Sequence, residues 1–209
     1  MTEPVVHVVD DDMSFLVATA RLLRASGFAV QTYVSASEFL AQRCADDPGC
    51  VITDLRMPGL DGLDLQAALA QARFPLPFLF LTGFADTAST VRAMRGGAED
   101  FLEKCATKDL LLDAVRRALA RDRREREARA LQRGLRMRFD TISAREREVL
   151  EHVLRGRLNK QIASDLGIHE RTVKVHRKSI MTKLSVRSVA ALARLTQEAG
   201  VAVPELTFT

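Results

Sequence analysis

Asp54 closes a short apolar run, Val51-Ile52-Thr53, and Asp10, Asp11 and Asp12 close another, Val5-Val6-His7-Val8-Val9. Runs of this length and β-branched content read as buried strands of a parallel sheet, which puts the acids at the strands' carboxyl ends. In an open α/β sheet that edge is where ligands bind. Carboxylates gathered there repel one another unless a cation or a reaction uses them. Three of them, from Asp10, Asp11 and Asp54, offer oxygen-only chemistry suited to a hard divalent ion such as Mg2+ (or Mn2+), which also accepts phosphate oxygens. Thr82 ends a later apolar run and Lys104 ends the last. A hydroxyl and an ammonium facing the acids suit a phosphoryl group. An Asp carboxylate can itself accept a phosphoryl group, and Asp54, central in strand order, is the acceptor to which this pattern points.

Alternating elements must position these groups. Strands are predicted at 5–9, 30–33, 51–53, 78–81 and 101–102. Between them, segments 15–26, 36–42, 62–72, 87–96 and 108–120 carry apolar residues at three- and four-residue spacing, and Gly27, Gly83 and Gly97 punctuate the joints. Five such βα units imply a doubly wound parallel sheet with helices on both faces. Asp12 reads as a helix N-cap beside the acids, and Asp61 and Asp64 as turn and cap residues around Gly62. Thr82 and Phe101 each also admit a plain structural role, as a strand-end hydroxyl and as core.

The remainder of the chain has a different character. Residues 1–119 hold 11 Lys and Arg against 16 Asp and Glu, a net −5, whereas residues 120–209 hold 20 against 11, a net +9. An acidic half joined to a basic half predicts two domains with different partners, the basic one meeting a polyanion. The charge-dense stretch 120–138 lacks Pro and has one Gly, Gly134, so it is expected to be helical or partly helical. From Thr141 the strand signal stops. Ser143 with Glu146 forms a capping box that opens a helix, and further helices are expected at 160–166, 170–184 and 186–199.

Helix 160–166, the turn Gly167-Ile168 and helix 170–184 together read as a helix-turn-helix. On the second helix Val173, His176 (or Arg177), Ile180 and Leu184 share one face and should pack inward. Arg171, Lys174, Val175, Lys178 and Thr182 share the other, an arrangement that suits a DNA major groove; by period alone a solvated basic face fits as well.

The three cysteines, Cys44, Cys50 and Cys105, are odd in number and lack metal-ligand spacing, which argues against a disulfide framework and for a reducing cytosol. Cys44 and Cys50 are expected to be inert. Met1-Thr2-Glu3-Pro4 does not begin a signal peptide, and no apolar run approaches the ~18 residues needed to span a bilayer. A soluble, cytoplasmic protein without a membrane partner is expected.

Four pieces in order, Val9-Asp10-Asp11-Asp12, Asp54 through Gly62, Leu81-Thr82-Gly83 and Asp100-Phe101-Leu102-Glu103-Lys104, resemble the receiver domain of bacterial two-component response regulators. Downstream, Ser143 through Leu150, Asn159-Lys160-Gln161-Ile162-Ala163 and Gly167 through His176 resemble the four-helix LuxR-type helix-turn-helix domain. The combination resembles the FixJ/NarL class, with the receiver nearer its FixJ side. The resemblance implies a flavodoxin-like five-stranded receiver at 1–119, a helical linker at 120–140, an all-α DNA-binding domain at 141–200 and a tail at 201–209. It implies further that a partner histidine kinase phosphorylates Asp54. Asp11, Asp54 and the backbone carbonyl of Arg56 would hold Mg2+, with Asp10 helping through water, and Thr82 and Phe101 would form a switch pair. Phosphorylation would then pair two receivers into a homodimer on double-stranded promoter DNA. Lys174, Val175 and Lys178 would read or brace the groove, while Thr172, Lys160 and Arg177 would be candidates for phosphate contacts.

The chain departs from these patterns in two places. Receivers usually place a cis-bonded Pro after the lysine and an aromatic after that, whereas Cys105 and Ala106 follow Lys104. A cis bond before a non-proline residue costs about 2.5–4 kcal/mol, so a trans bond, or a strained cis one, is expected. His169 stands where Ser commonly caps the recognition helix, which weakens the cap. Two rival readings follow from these features. A degenerate receiver could serve a phosphorylation-independent regulator, a reading supported only by the Lys104-Cys105 departure. A phosphatase of the haloacid dehalogenase type also uses a phospho-Asp with Mg2+, but needs an acid where Arg56 stands. The expected protein is therefore a phospho-acceptor regulator and not an enzyme.

Overall fold

The computed structural model describes residues 3–43, 47–71, 75–83 and 86–201. It divides into two compact units, one ending at Arg126 and the other beginning at Glu127.

The first unit contains strands β1 (Val5–Val9), β2 (Ala29–Tyr33), β3 (Gly49–Thr53), β4 (Phe78–Thr82) and β5 (Asp100–Glu103). All are parallel, in the order β2-β1-β3-β4-β5. Helices α1 (Met13–Ala25), α2 (Ala36–Gln42), α3 (Gly62–Ala70) and α4 (Thr87–Arg95) connect them. Alternate side chains of each strand feed opposite faces, so the sheet carries two cores. Val9, Val51, Phe78 and Phe80 pack with Phe39, Leu65 and Leu69 on one side. Val6, Val8, Ile52, Leu79 and Leu81 pack with Leu16, Leu23, Leu111 and Val115 on the other. The doubly wound sheet is the expected one.

About half of the element ends shift by one to three residues from the sequence reading, and several of the boundaries have local causes. α1 begins two residues early because the Asp12 carboxylate accepts the amides of Ser14 and Phe15 and caps it there. β3 begins at Gly49, which pairs with Val5 through backbone alone. α3 opens on a capping box between Asp61 and Asp64. Cys44, the Ala72 end of segment 62–72 and the tail beyond Val201 lie outside the described residues. Cys50 is fully buried, and burial pushes its thiol well above the ordinary range.

The charge-dense stretch is helical throughout, as part of α5 (Lys108–Asp140). Charge pairs one turn apart support it at Arg121–Glu125 and at Asp122–Arg126, each 2.8–2.9 Å. Residues from this stretch serve both units. Buried Asp122 accepts the Gly49 amide at 3.0 Å in the first, and Leu135 packs against the core of the second.

The second unit contains α6 (Ala144–Leu154), α7 (Asn159–Leu166), α8 (Glu170–Lys183) and α9 (Val189–Glu198). Val149, Leu150, Val153, Ile162, Val173, Ile180, Leu184, Leu192 and Leu195 form its core. α7 ends at Gly167 in the left-handed region (φ 64°), which only Gly adopts without strain and which turns the chain sharply into α8. No helix among the described residues is long and apolar enough to cross a membrane.

Candidate functional site

The strand order reverses between β1 and β3, and a crevice opens at the carboxyl ends of strands on either side of such a reversal. Val9 is in register with Thr53 across this pair, so Asp10 and Asp54 emerge side by side. Asp10, Asp11 and Asp54 each offer an oxygen such that all three lie within 4.8 Å of one another. Asp10 is buried, Asp54 half-buried and Asp11 exposed. Gly62 permits the crowding: a Cβ there would lie 2.3 Å from the Asp54 carbonyl oxygen. Without one, the Gly62 amide reaches the Leu55 carbonyl at 3.0 Å and α3 starts directly beneath the loop that follows Asp54.

Lys104 enters this cluster from the end of β5. Its Nζ lies 2.7 Å from Asp10 Oδ2 and 3.0 Å from Asp54 Oδ2. Burial opposes the charge on Lys104, but hydrogen bonds to Asp10 and Asp54 outweigh it and raise its pKa. Burial also pushes the Asp10 carboxyl up, against bonds from Lys104 and from the Asp12 amide. Asp54 Oδ1 accepts the Leu55 amide at 2.6 Å, leaving Oδ2 toward the lysine. No peptide bond among the described residues is cis, so of the two forms left open by the sequence the bond into Cys105 takes the trans one. The loop is held instead by its backbone, with the Lys104 amide on the Thr82 carbonyl at 2.8 Å and the Ala106 amide on that of Glu103 at 2.9 Å.

Thr82 is buried at the end of β4, in register with Glu103. Phe101 is half-buried, its ring stacked on Phe80 at 5.7 Å between centroids. The Arg56 side chain is exposed and lies 3.8 Å from Asp86, while its backbone amide lies 3.5 Å from Asp54 Oδ1. The oxygen donors fit Mg2+: three carboxylates within mutual reach and a neighbouring ammonium that offsets part of their repulsion. Phe15 was missed in the sequence; its ring lies under the Lys104 ammonium, 4.4 Å from centroid to Nζ.

In the second unit α8 divides as its periodicity requires. Val173, Ile180 and Leu184 are buried and His176 is half-buried, whereas Arg171, Lys174, Val175, Lys178 and Thr182 are exposed. Val175, a large apolar side chain 61 % exposed, sits among these cations. Lys160 is exposed on α7. Thr172 and Arg177 are only half-buried, and Arg177 lies beside Val153, Ile180, Met181 and Leu192. Its stem therefore packs on the flank of α8, away from the face of Lys174 and Lys178. The His169 side chain makes no cap hydrogen bond, as its replacement of Ser predicts.

A second buried polar site was legible only in part. Glu146, the capping-box acid of α6, also accepts Ser179 Oγ and Lys183 Nζ of α8, each at 2.6 Å. The box itself was visible in the sequence, but its long-range partners were not.

Comparison with known proteins gives two family matches. The response regulator receiver domain matches residues 6–116, and the luxR family of bacterial regulatory proteins matches residues 140–196. Nodulation protein W of Bradyrhizobium diazoefficiens is 42 % identical over 200 residues, covering 96 % of this chain and 88 % of that protein. Transcriptional regulatory protein FixJ of Azorhizobium caulinodans is 41 % identical, covering 94 % and 93 %. Among solved structures, the response regulator StyR superposes with a TM-score of 0.81 at 45 % identity, covering 94 % of this chain and all of that one. Full-length FixJ from B. japonicum gives 0.58 at 35 % identity, covering 97 % and 100 %.

Proposed function

The chain belongs to the response regulators that join a receiver domain to a LuxR-type DNA-binding domain, and on that premise we propose which of its residues carry the signal. The protein is a phosphorylation-controlled transcription regulator. Asp54 accepts the phosphoryl group from a cognate histidine kinase. The observation that carries this assignment is the convergence of Asp10, Asp11 and Asp54 at the reversal of strand order with Lys104 bonded between two of them.

Asp10, Asp11, Asp54 and the Arg56 carbonyl would hold Mg2+. The ion, when bound, neutralises phosphoryl oxygens. Lys104 supplies a fixed positive charge on the other side of the acceptor, and Thr82 supplies a hydroxyl at the adjoining strand end. Phosphorylation turns the Asp54 carboxylate into an acyl phosphate of up to about two negative charges, about one more than before, and adds three strong acceptors. Thr82 turning toward it, with Phe101 moving inward, remodels the surface of α4 and β5. That surface pairs two receivers, which places two recognition helices about 34 Å apart on an inverted repeat of promoter DNA. The side chains present hold and transfer one phosphoryl group without turnover of a substrate, in the cytoplasm where the kinase's acceptor and the promoter meet. Beryllofluoride, a phosphoryl mimic, should with Mg2+ shift the protein to a dimer on gel filtration and tighten promoter binding. Unchanged elution and unchanged affinity would overturn the assignment.

On the output side, Lys174, Val175 and Lys178 face the groove, while Lys160, Thr172 and Arg177 flank it as phosphate contacts. Lys174→Ala should weaken promoter binding by roughly 5- to 100-fold, the range for one good base or charged phosphate contact. Labelling of Asp54 by acetyl phosphate should be unaltered. Promoter affinity equal to wild type across a salt series would remove Lys174 from the interface.

A further inference from the structure

We propose that Phe15 is a positioning residue of the phosphoryl site, its ring face holding the Lys104 ammonium where it meets the incoming phosphoryl group. The inference rests on the reading of Asp54 as acceptor and extends it to a residue outside the acidic cluster.

Lys104 carries its charge on a flexible four-carbon stem. Its backbone is anchored through the Thr82 carbonyl at 2.8 Å, but the residues after it, Cys105 and Ala106, bring neither a proline nor a bulky side chain to pack against the stem. Among the described residues, three groups receive the ammonium: Asp10 at 2.7 Å, Asp54 at 3.0 Å and the Phe15 ring at 4.4 Å from its centroid. They differ in what they ask of it. Each carboxylate takes an N–H, whereas the ring attracts the cation through its quadrupole and takes none. Phe15 therefore restrains the ammonium while its third N–H can meet a new oxygen. When Asp54 becomes an acyl phosphate, one of the two carboxylate anchors changes its charge and shape, and the ring is the restraint that does not change.

The ring is itself well placed to act. Phe15 lies in the first turn of α1, whose start is fixed by the Asp12 cap at 2.9–3.2 Å, and the Asp12 amide donates to Asp10 at 2.9 Å, so the ring and Asp10 are tied through Asp12. It packs at the edge of the core formed by Leu16, Val8 and Leu81. Yet it is only half-buried, unlike the true core positions of that helix, Leu16, Thr19, Ala20 and Leu23. The Lys104 side chain is 18 % exposed, and in so sheltered a place a cation–π contact is stronger than at an open surface.

The step to be measured is transfer from acetyl phosphate. An Asp54 carboxylate oxygen forms the new bond to phosphorus, the bond from phosphorus to the acetyl oxygen breaks, and acetate leaves with the electron pair. Phe15→Leu, Phe15→Tyr and a full-length chain with 3,4,5-trifluorophenylalanine at position 15 separate ring electrostatics from packing. The initial rate of Asp54 labelling at fixed Mg2+ should fall about 3- to 30-fold in Phe15→Leu and nearly as far in the trifluoro chain, the range such contacts support. Phe15→Tyr should stay within about twofold, since a phenol ring keeps the attraction. In metal-free protein the Lys104 ε-methylene protons should show an upfield ring-current shift that Phe15→Leu removes. A trifluoro chain that labels at the wild-type rate would reduce Phe15 to packing and overturn the inference, even if Phe15→Leu fails to fold. Label taken up by Asp54→Asn as fast as by wild type would instead overturn the acceptor reading itself.

Discussion

Asp54→Asn should abolish the response to a phosphodonor while leaving the protein folded and able to bind DNA at its resting affinity. Wild type treated with acetyl phosphate and Mg2+ should gain promoter affinity by roughly 5- to 150-fold, the usual span of coupling between two sites. The variant should gain none, because an amide is not a nucleophile toward phosphorus at neutral pH and Asn retains no second carboxylate oxygen. The fold should tolerate the change well. Asp10 still pairs with Lys104 at 2.7 Å, and removing one of three crowded carboxylates relieves repulsion. Gel filtration and DNA-shift titrations, each with and without phosphodonor, supply the check. A variant that still dimerises on treatment would move the acceptor to another residue. One that binds the promoter as tightly as phosphorylated wild type would mean that loss of charge, and not gain of a phosphoryl group, is the switch. The degenerate-receiver reading makes the opposite prediction for wild type, namely no response at all.

The reasons that the clustering of Asp10, Asp11 and Asp54 could be read from sequence also explain what could not. Strands of a parallel sheet are buried on both faces and read as continuous apolar runs, so Val5–Val9 and Phe78–Thr82 announce themselves. The acids interrupt those runs at a point where burial should forbid them, and this is the strongest signal in the chain. β5 was harder, because Asp100 and Glu103 sit at its ends and only Phe101 and Leu102 carry the apolar signal. That 120–138 is helical followed from its having no Pro and one Gly, but its continuity with 108–120 in the single helix α5 and the anchoring of that helix by Asp122 on the Gly49 amide did not. A buried acid in a charge-dense stretch looks like any solvated one. Phe15 failed for a related reason: an aromatic near a helix start reads as core, and nothing local shows that a lysine 89 positions later will lie over its face. Local chemistry was legible, and pairings across long sequence separations were not.

Glu146 is the clearest case of such a pairing, and its removal should have the largest effect on the DNA-binding unit. The carboxylate accepts the Ser143 amide at 2.8 Å, Ser179 Oγ at 2.6 Å and Lys183 Nζ at 2.6 Å, and Lys183 donates in addition to the Thr141 carbonyl at 3.1 Å. One buried acid thus ties the start of α6 to the second half of the recognition helix α8. The hydrogen bond from Lys183, followed by that from Ser179, holds its pKa at about 2, against an ordinary 4.5. A carboxyl depressed on folding stabilises the fold fully above its unfolded pKa, and that stability is lost as pH falls through the folded one. The window here is therefore about pH 4.5 down to about 2. Because the Lys183 side chain is 36 % exposed, the loss across that window should be on the order of 2 kcal/mol, less than the full shift would give. Glu146→Ala should lower stability at neutral pH by about 2–4 kcal/mol, since it removes charge-assisted bonds together with the glutamate's half of the capping box. It should also bind the promoter more weakly although position 146 is buried, because α8 loses the bonds from Ser179 and Lys183 that tie it to α6. Urea unfolding followed from pH 7 to pH 2 separates these effects: the acid limb of wild type should be shallower in the variant. Equal stability at neutral pH and equal acid limbs would mean that α8 is held by its apolar face alone, through Val173, Ile180 and Leu184.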